Sequence, residues 1–423
     1  MKEHMTRLCL KNPSSARTSA SVIVILGLWV GCLPAADWAH YLGPTGNMRS
    51  PETGINKNWG EKPPAELWRV DLHDGKGGFS GPAIADGVLY ILDHDGEQDI
   101  VLALKAKTGE EIWRFVYPQA KPDNYGYTRS TPTVESGRVY SLSRSGVLYC
   151  LDAKAGTELW RTDVVALVGG KPAEWGIASS AFIDGDRLIA IGAGENKHIV
   201  ALDKADGVLL WSGGGTHPAG YATPMVATLG GRRQYLVFTG DSLIGVDAGA
   251  GTLLWRHPWE TRLGCNAGTP VVVGENRVWI GSGYKSGCTL LEIEGGQVNE
   301  VWKAKLPSPP WGSAILDDGY LYASGLPGYL ICLDAQSGQE KWRDKGTGRG
   351  FENGGMCAVD GTLILMEGNT GTVVQVELSS EAYHELGRIT PLAKSKTYWV
   401  APVVANKLLY VRSPKELVCL NLE

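Results

Sequence analysis

Eight imperfect copies of one segment make up most of this 423-residue chain, and a chain built from such copies has few ways to fold. Ser130-Thr131-Pro132-Thr133-Val134-Glu135-Ser136-Gly137-Arg138-Val139-Tyr140 aligns with Gly312-Ser313-Ala314-Ile315-Leu316-Asp317-Asp318-Gly319-Tyr320-Leu321-Tyr322. The match runs on through LYCLDAKAGTELWR, ending at Arg161, and LICLDAQSGQEKWR, ending at Arg343. The copies begin near Pro82, Pro132, Ala181, Pro224, Pro270, Ala314, Met356 and Pro402, at spacings of 42 to 50 residues. A period of about 40–50 residues is the length of one four-stranded blade, so the expected fold is all-β, an eight-bladed β-propeller.

Each piece of a copy has a physical reading. Thr133-Val134 leads into a Ser-Gly turn, Val139–Leu142 forms a second strand, and Leu148–Leu151 forms a third. Asp152-Ala153-Lys154-Ala155-Gly156 is then a turn whose glycine takes a positive φ. Trp160 follows four residues later, on the fourth strand, and the same step recurs at Gly109/Trp113, Gly207/Trp211, Gly251/Trp255 and Gly338/Trp342, with a looser version at Trp302. A fixed step places the indole on one face of the outer strand. There it is expected to fill the wedge between neighbouring blades and to donate its N–H to a carbonyl.

The last copy, Ala401 to Leu422, has only three strands, an open edge that would invite aggregation. Ala65-Glu66-Leu67-Trp68-Arg69-Val70 carries the Trp-Arg of the other fourth strands and has no partners upstream. It is expected to complete the eighth blade and close the ring. The domain reading is therefore a targeting segment at 1–36, an N-terminal arm at 37–64 and the propeller at 65–423.

Lys2, Arg7, Lys11 and Arg17 precede an apolar run from Val22 to Val30, followed by Gly31-Cys32-Leu33-Pro34-Ala35-Ala36, the parts of a secretory signal. The run is short of the roughly 20 residues that span a bilayer. Cleavage near Ala36 removes four basic residues and Glu3, a net +3, and takes the formal charge from −5 to −8. The expected product is acidic and periplasmic or secreted. Acylation of Cys32 is the alternative, and would associate it with the outer membrane. With no basic block, nucleic acid is not an expected partner.

The units with LDAKAG…LWR, LDAQSG…KWR and VDAGAG…LWR resemble the pyrroloquinoline-quinone (PQQ) repeat of quinoprotein dehydrogenases and of the BamB lipoproteins of outer-membrane assembly. Trp38…Tyr41-Leu42-Gly43-Pro44, Ser50-Pro51-Glu52-Thr53-Gly54, Tyr117-Pro118…Gly126-Tyr127-Thr128-Arg129-Ser130 and Gly281-Ser282-Gly283-Tyr284 further resemble secreted PQQ-like propellers of planctomycetes. The resemblance covers residues 38–423 and implies a fold more than an activity, because the repeat is a packing device. For a quinoprotein alcohol dehydrogenase it implies a vicinal cysteine disulfide, a calcium held by carboxylates and amides, and a catalytic Asp. No two cysteines are adjacent here, and no C-x-x-C-H haem site exists.

No catalytic or metal-binding residue stands out. Cys150, Cys332 and Cys419 share one third-strand position and read as small buried hydrophobes, whereas a Cys265–Cys288 disulfide is left open. The histidines lack metal spacing, Asp93-His94-Asp95-Gly96 reads as a polar turn, and G-x-S-x-G and P-loop motifs are absent.

One constellation remains. Just before the first strand of a blade the chain repeatedly places an aromatic: Phe79, Tyr127, Trp175, Tyr221, Trp311, Phe351 and Trp399, with Cys265-Asn266 instead in blade five. Arg129, Glu174, Arg262, Asn266, Arg349, Glu352 and Asn353 lie beside them. Either the rings plug the funnel where the inner strands converge, or they line a ligand site at the channel mouth. The second alternative predicts an exported non-catalytic propeller holding a protein, peptide, glycan or quinone. A dehydrogenase of alcohols or polyols using PQQ with calcium is the competing reading, and a sensor ectodomain a third.

Overall fold

Eight separate sheets, antiparallel but for one short strand, account for the strands of the computed structural model, which describes residues 36–73, 78–118, 125–309, 311–344 and 350–423. Residues 1–35, and with them nearly all of the expected export signal and Cys32, lie outside the described residues. Blade one is typical: Ala83–Ala85, Val88–His94, Gln98–Lys105 and Glu111–Pro118 pair in chain order. The first strands of the eight blades begin at Ala83, Thr133, Phe182, Met225, Val271, Ile315, Met356 and Val403, at or one residue after the positions read from the repeat. In blade one the inner strand Ala83–Ala85 is wholly buried, while the outer strand Glu111–Pro118 exposes most of its side chains.

The ring closes as expected. Strand Ala65–Asp71 pairs antiparallel with Glu416–Asn421, with Trp68 opposite Cys419. Blade seven gains a fifth, inner strand, Arg49–Ser50, which runs parallel to Met356–Val359.

The Gly-to-Trp step serves two different interfaces. Five of the indoles pack on the glycine of the next blade: Trp68 meets Gly109, Trp113 meets Gly156, Trp160 meets Gly207, Trp211 meets Gly251 and Trp302 meets Gly338. A Cβ on Gly156 would sit 2.5 Å from the Trp113 ring, and its φ of +70° disfavours other residues as well. Trp68, Trp113, Trp302 and Trp342 donate Nε1–H to a backbone carbonyl of the following blade, at Ala106, Ala153, Ala335 and Ser379, over 2.9–3.1 Å. Trp160 and Trp211 pack in the same way with no acceptor, and Trp255 turns into its own blade and donates to Gln234 Oε1 at 2.6 Å. Tyr90 and Tyr410 share the acceptors of Trp113 and Trp68.

Every fourth strand shifts register just before its tryptophan position, as between Glu158 and Trp160. Residues three apart on a regular strand face opposite sides; the extra bulge residue brings them to one side. Ion pairs Glu66–Arg69, Glu340–Arg343 and Glu385–Arg388, each at 2.6 Å, follow from this.

The six described cysteines are buried free thiols, so Cys265 and Cys288 form no disulfide. Cys265 faces Tyr284, Cys288 faces Ser308 and Trp279, and burial pushes both thiols up to about 11. Cys150, Cys332 and Cys419 each lie between a tyrosine and a tryptophan of their own blade, as in Tyr140–Cys150–Trp160, where a small residue lets the two rings approach to 6.0 Å.

The arm runs into the ring rather than along its surface. Trp38 exchanges two 2.9 Å backbone hydrogen bonds with Ile84 in blade one, Ala39 O accepts from Val134 N in blade two, and Met48 O accepts from Ala358 N in blade seven. The arm thus bridges inner strands on different sides of the channel. Further along, the buried Glu52 carboxylate accepts from the backbone N–H groups of Asn406 and Lys407, which fastens the arm to blade eight before the closing strand begins.

Candidate functional site: an aromatic cup at the channel mouth

The loops that lead into the inner strands meet around one cavity of about 330 Å³. Phe79, Trp175, Tyr221, Trp311 and Trp399, expected from the sequence, line it together with Arg129 and Glu352. Trp399 is the centre of a stack, with Phe79 at 5.3 Å and 17° on one side and Trp311 at 5.4 Å and 16° on the other. A second group turns edge and face against it: Tyr125 meets Trp175 at 5.4 Å and 80°, and Trp175 meets Tyr221 at 5.6 Å. The Arg129 guanidinium lies 6.0 Å from the Phe79 centroid, a cation–π distance.

Three expected residues turn away from the cavity. Tyr127 is buried and stacks on His94 at 3.4 Å, so its neighbour Tyr125, 43% exposed, takes the place at the wall. Phe351 is 1% exposed and belongs to the hydrophobic core. Asn266 is fully buried as a loop brace: its amide donates to the carbonyls of Thr239 and Trp259 and its Oδ1 accepts from Ser282. Arg349 lies outside the described residues.

The sequence reading missed Tyr125, Tyr284 and the part played by the arm. Trp38, Tyr41 and Met48 line the cavity from below, which turns a channel mouth into a cup with a floor. Tyr41 Oη donates to Trp311 O at 3.4 Å, so floor and wall are joined. Burial pushes the Tyr41 and Tyr284 phenols up to about 12, so both remain neutral hydroxyls at any physiological pH. Tyr41 and Tyr284 did stand in the motifs that carried the family resemblance, which was the available signal.

Four of the eight lead-in positions give the cup a belt of small hydroxyls, Thr131, Ser180, Thr223 and Ser313. Gly81 N donates to Thr131 Oγ1 at 3.1 Å, Thr131 N to Ser180 Oγ at 2.9 Å, and Ser180 N to Thr223 Oγ1 at 2.9 Å. Each amide is thereby satisfied by the next blade's side chain, the same relay that the tryptophans make at the outside. Thr131, Ser180, Thr223 and Ser313 all line the cup, and Ser313 Oγ is buried with no hydrogen-bond partner.

Among the described residues, the cup holds one cation, Arg129, and one carboxylate, Glu352, in a lining that is otherwise rings, apolar and small side chains and amides. Among the described residues, no group of three or more His, Cys, Asp or Glu side chains could hold a metal ion. Calcium takes about six to eight oxygen ligands, mostly carboxylate and amide. Glu352 and Asn353 alone do not fit a quinone-bound calcium.

A family model described as outer membrane protein assembly factor BamB matches residues 97–344, more than half of the chain. BamB of Yersinia pestis is 26% identical over 302 residues, covering 66% of this chain and 70% of that protein. In three dimensions, BamB from Moraxella catarrhalis is similar with a TM-score of 0.60 at 16% identity, over 85% of this chain and 99% of that one. Quinohemoprotein alcohol dehydrogenase ADHIIG from Pseudomonas putida reaches 0.65 at 14% identity, over 92% and 80%, a likeness of fold. With the repeat, the eight blades and this match over residues 97–344 in agreement, the chain belongs to the BamB family of PQQ-like repeat propellers.

Proposed function

We propose that this protein is an exported, non-catalytic propeller that holds a protein, peptide or glycan ligand in its aromatic cup, in the periplasm or outside the cell, with outer-membrane association if Cys32 is acylated. The observation that carries the reading is the floor. The arm bonds to inner strands of blades one, two and seven, so the cavity is a blind, ring-lined recess with a few polar groups, the form of a binding site. Family membership supports a role among protein partners in outer-membrane assembly.

The second reading, a dehydrogenase of alcohols or polyols using PQQ with calcium, draws on the flat Phe79–Trp399–Trp311 stack and on the shared fold. Its calcium lacks a donor set among the described residues. Mixing the purified protein with PQQ and calcium, desalting, and assaying dye reduction with alcohols and polyols separates the two. The binding reading expects no retained quinone absorbance and no turnover; retention with turnover overturns it.

A further inference from the structure

We infer that the cup is a saccharide site, taking an uncharged sugar unit whose ring stacks on Tyr125 while its hydroxyls reach the Ser/Thr belt. This deepens the proposed binding role and rests on it.

A sugar ring has apolar C–H faces and a hydroxylated edge, and the cup is divided in the same way. Its walls offer ring faces: Tyr125 is 43% exposed, and Trp175 and Trp399 are part-exposed beside it. Below them Thr131, Ser180 and Thr223 each accept an amide N–H at 2.9–3.1 Å, which leaves the hydroxyl proton of each free to donate to a ligand oxygen. Ser313 Oγ is the sharper sign. It lines the same cavity, its residue is 8% exposed, and it has no partner at all, an arrangement that costs stability unless something supplies a partner.

The charge balance selects an uncharged ligand. Among the described residues, Arg129 and Glu352 are the only formal charges in the lining, they are of opposite sign, and the guanidinium already lies over Phe79. An anionic ligand would have to tolerate Glu352, and a cationic one Arg129. The shape selects against an extended peptide. Peptide recognition of the strand-adding kind needs an open sheet edge or a groove along which backbone groups can pair. The arm lines the cup with Trp38, Tyr41 and Met48 and already occupies the inner edges of the first strands of blades one, two and seven. A volume of about 330 Å³ lies at the small end of ligand pockets, which suits a saccharide unit or the end of a glycan chain.

The test titrates the full chain with maltose, cellobiose and diacetylchitobiose, followed by intrinsic tryptophan fluorescence, beside two comparison probes, the tripeptide Ala-Phe-Ala and PQQ with calcium. The expected result is a saturable change with at least one disaccharide, weakened about tenfold in Tyr125→Ala, which loses the stacking ring, and also in Trp399→Ala, which removes the ring that packs beside Tyr125 at 6.2 Å. Tyr125 is the safer variant, because its exposure keeps the fold out of the result; its melting curve should match that of the unmodified protein. A disaccharide response left unchanged in both variants, or a response to Ala-Phe-Ala alone, overturns the sugar inference and leaves a binding propeller standing. A response to PQQ with calcium alone overturns it in favour of the dehydrogenase reading. No response to any probe overturns both the inference and the assignment of the cup as the binding site.

Discussion

Two sets of aromatic residues in this molecule have similar chemistry and opposite surroundings. The tryptophans of the outer strands are seated: Trp113 lies against Gly156, donates to Ala153 O and recurs in register around the ring. Those of the channel mouth are not. Trp311 and Trp399 stack on one another, and no described glycine forms a seat for either ring. A glycine seat is the mark of a residue whose task is packing. Rings that lean only on other rings, around a cavity, have surplus capacity for contact, and that surplus is what a ligand uses.

The largest effect is expected where the ring closes. Deleting residues 60–72 removes the strand that pairs with Glu416–Asn421 and the first of the outer-strand tryptophans, Trp68. The truncated chain should lose its cooperative melting transition; a truncated chain that melts like the intact one contradicts the closure.

Next in size is the seat itself. Replacing Gly156 by Ala places a methyl 2.5 Å from the Trp113 ring at a φ of +70°, combining overpacking with left-handed strain. The cost should be about 2–4 kcal/mol in urea unfolding. The equivalent change at Gly137, also at positive φ but with open space around it, should cost only about 1 kcal/mol, so the difference isolates the indole contact.

Acid provides a test that leaves both sets of tryptophans intact. His198 is fully buried, and burial together with the neighbouring His217 lowers it to about 4. A histidine whose folded value lies below its unfolded 6.5 binds its proton first in the unfolded chain, so stability falls as pH drops from about 6.5 to about 4. Burial lowers His94, His217 and His257 as well, with the same sign. His198 alone should contribute a loss of about 3 kcal/mol across that window, and His198→Gln should flatten the pH dependence measured by denaturant midpoints. An unchanged slope would show that the imidazole is already charged in the folded protein.

Most of the fold was legible because packing in a propeller repeats. The Gly-to-Trp step and the lead-in Ser or Thr recur with the blade, and a missing fourth strand at one end of the chain matched a spare one at the other. The cup was less legible because its residues come from loops of different length and do not repeat in register. Tyr127 and Phe351 stand one or two residues from wall positions, and a loop that turns once more or once less reverses which ring faces the cavity. Asn266 failed for another reason: a buried amide that braces loops has the same residue type as one that binds a ligand. The arm was read as a separate segment since nothing in its composition shows that it enters the ring; only Trp38 and Tyr41, in the motif shared with secreted relatives, pointed to it. The Cys265–Cys288 question needed coordinates, because two cysteines on loops of one face can each be absorbed by their own aromatic neighbours.

The smallest stability effect belongs to the mouth, and the contrast between the two aromatic sets is the central claim. The denaturant midpoints of Trp113→Phe and Trp399→Phe, measured side by side, test it most directly. Trp113→Phe loses a hydrogen bond to Ala153 O and leaves a gap over Gly156, and should cost about 2 kcal/mol; Trp399→Phe keeps a ring in an open stack and should stay within about 0.5 kcal/mol. Equal losses, or a larger loss at Trp399, would contradict the account and make the channel-mouth rings part of the packing.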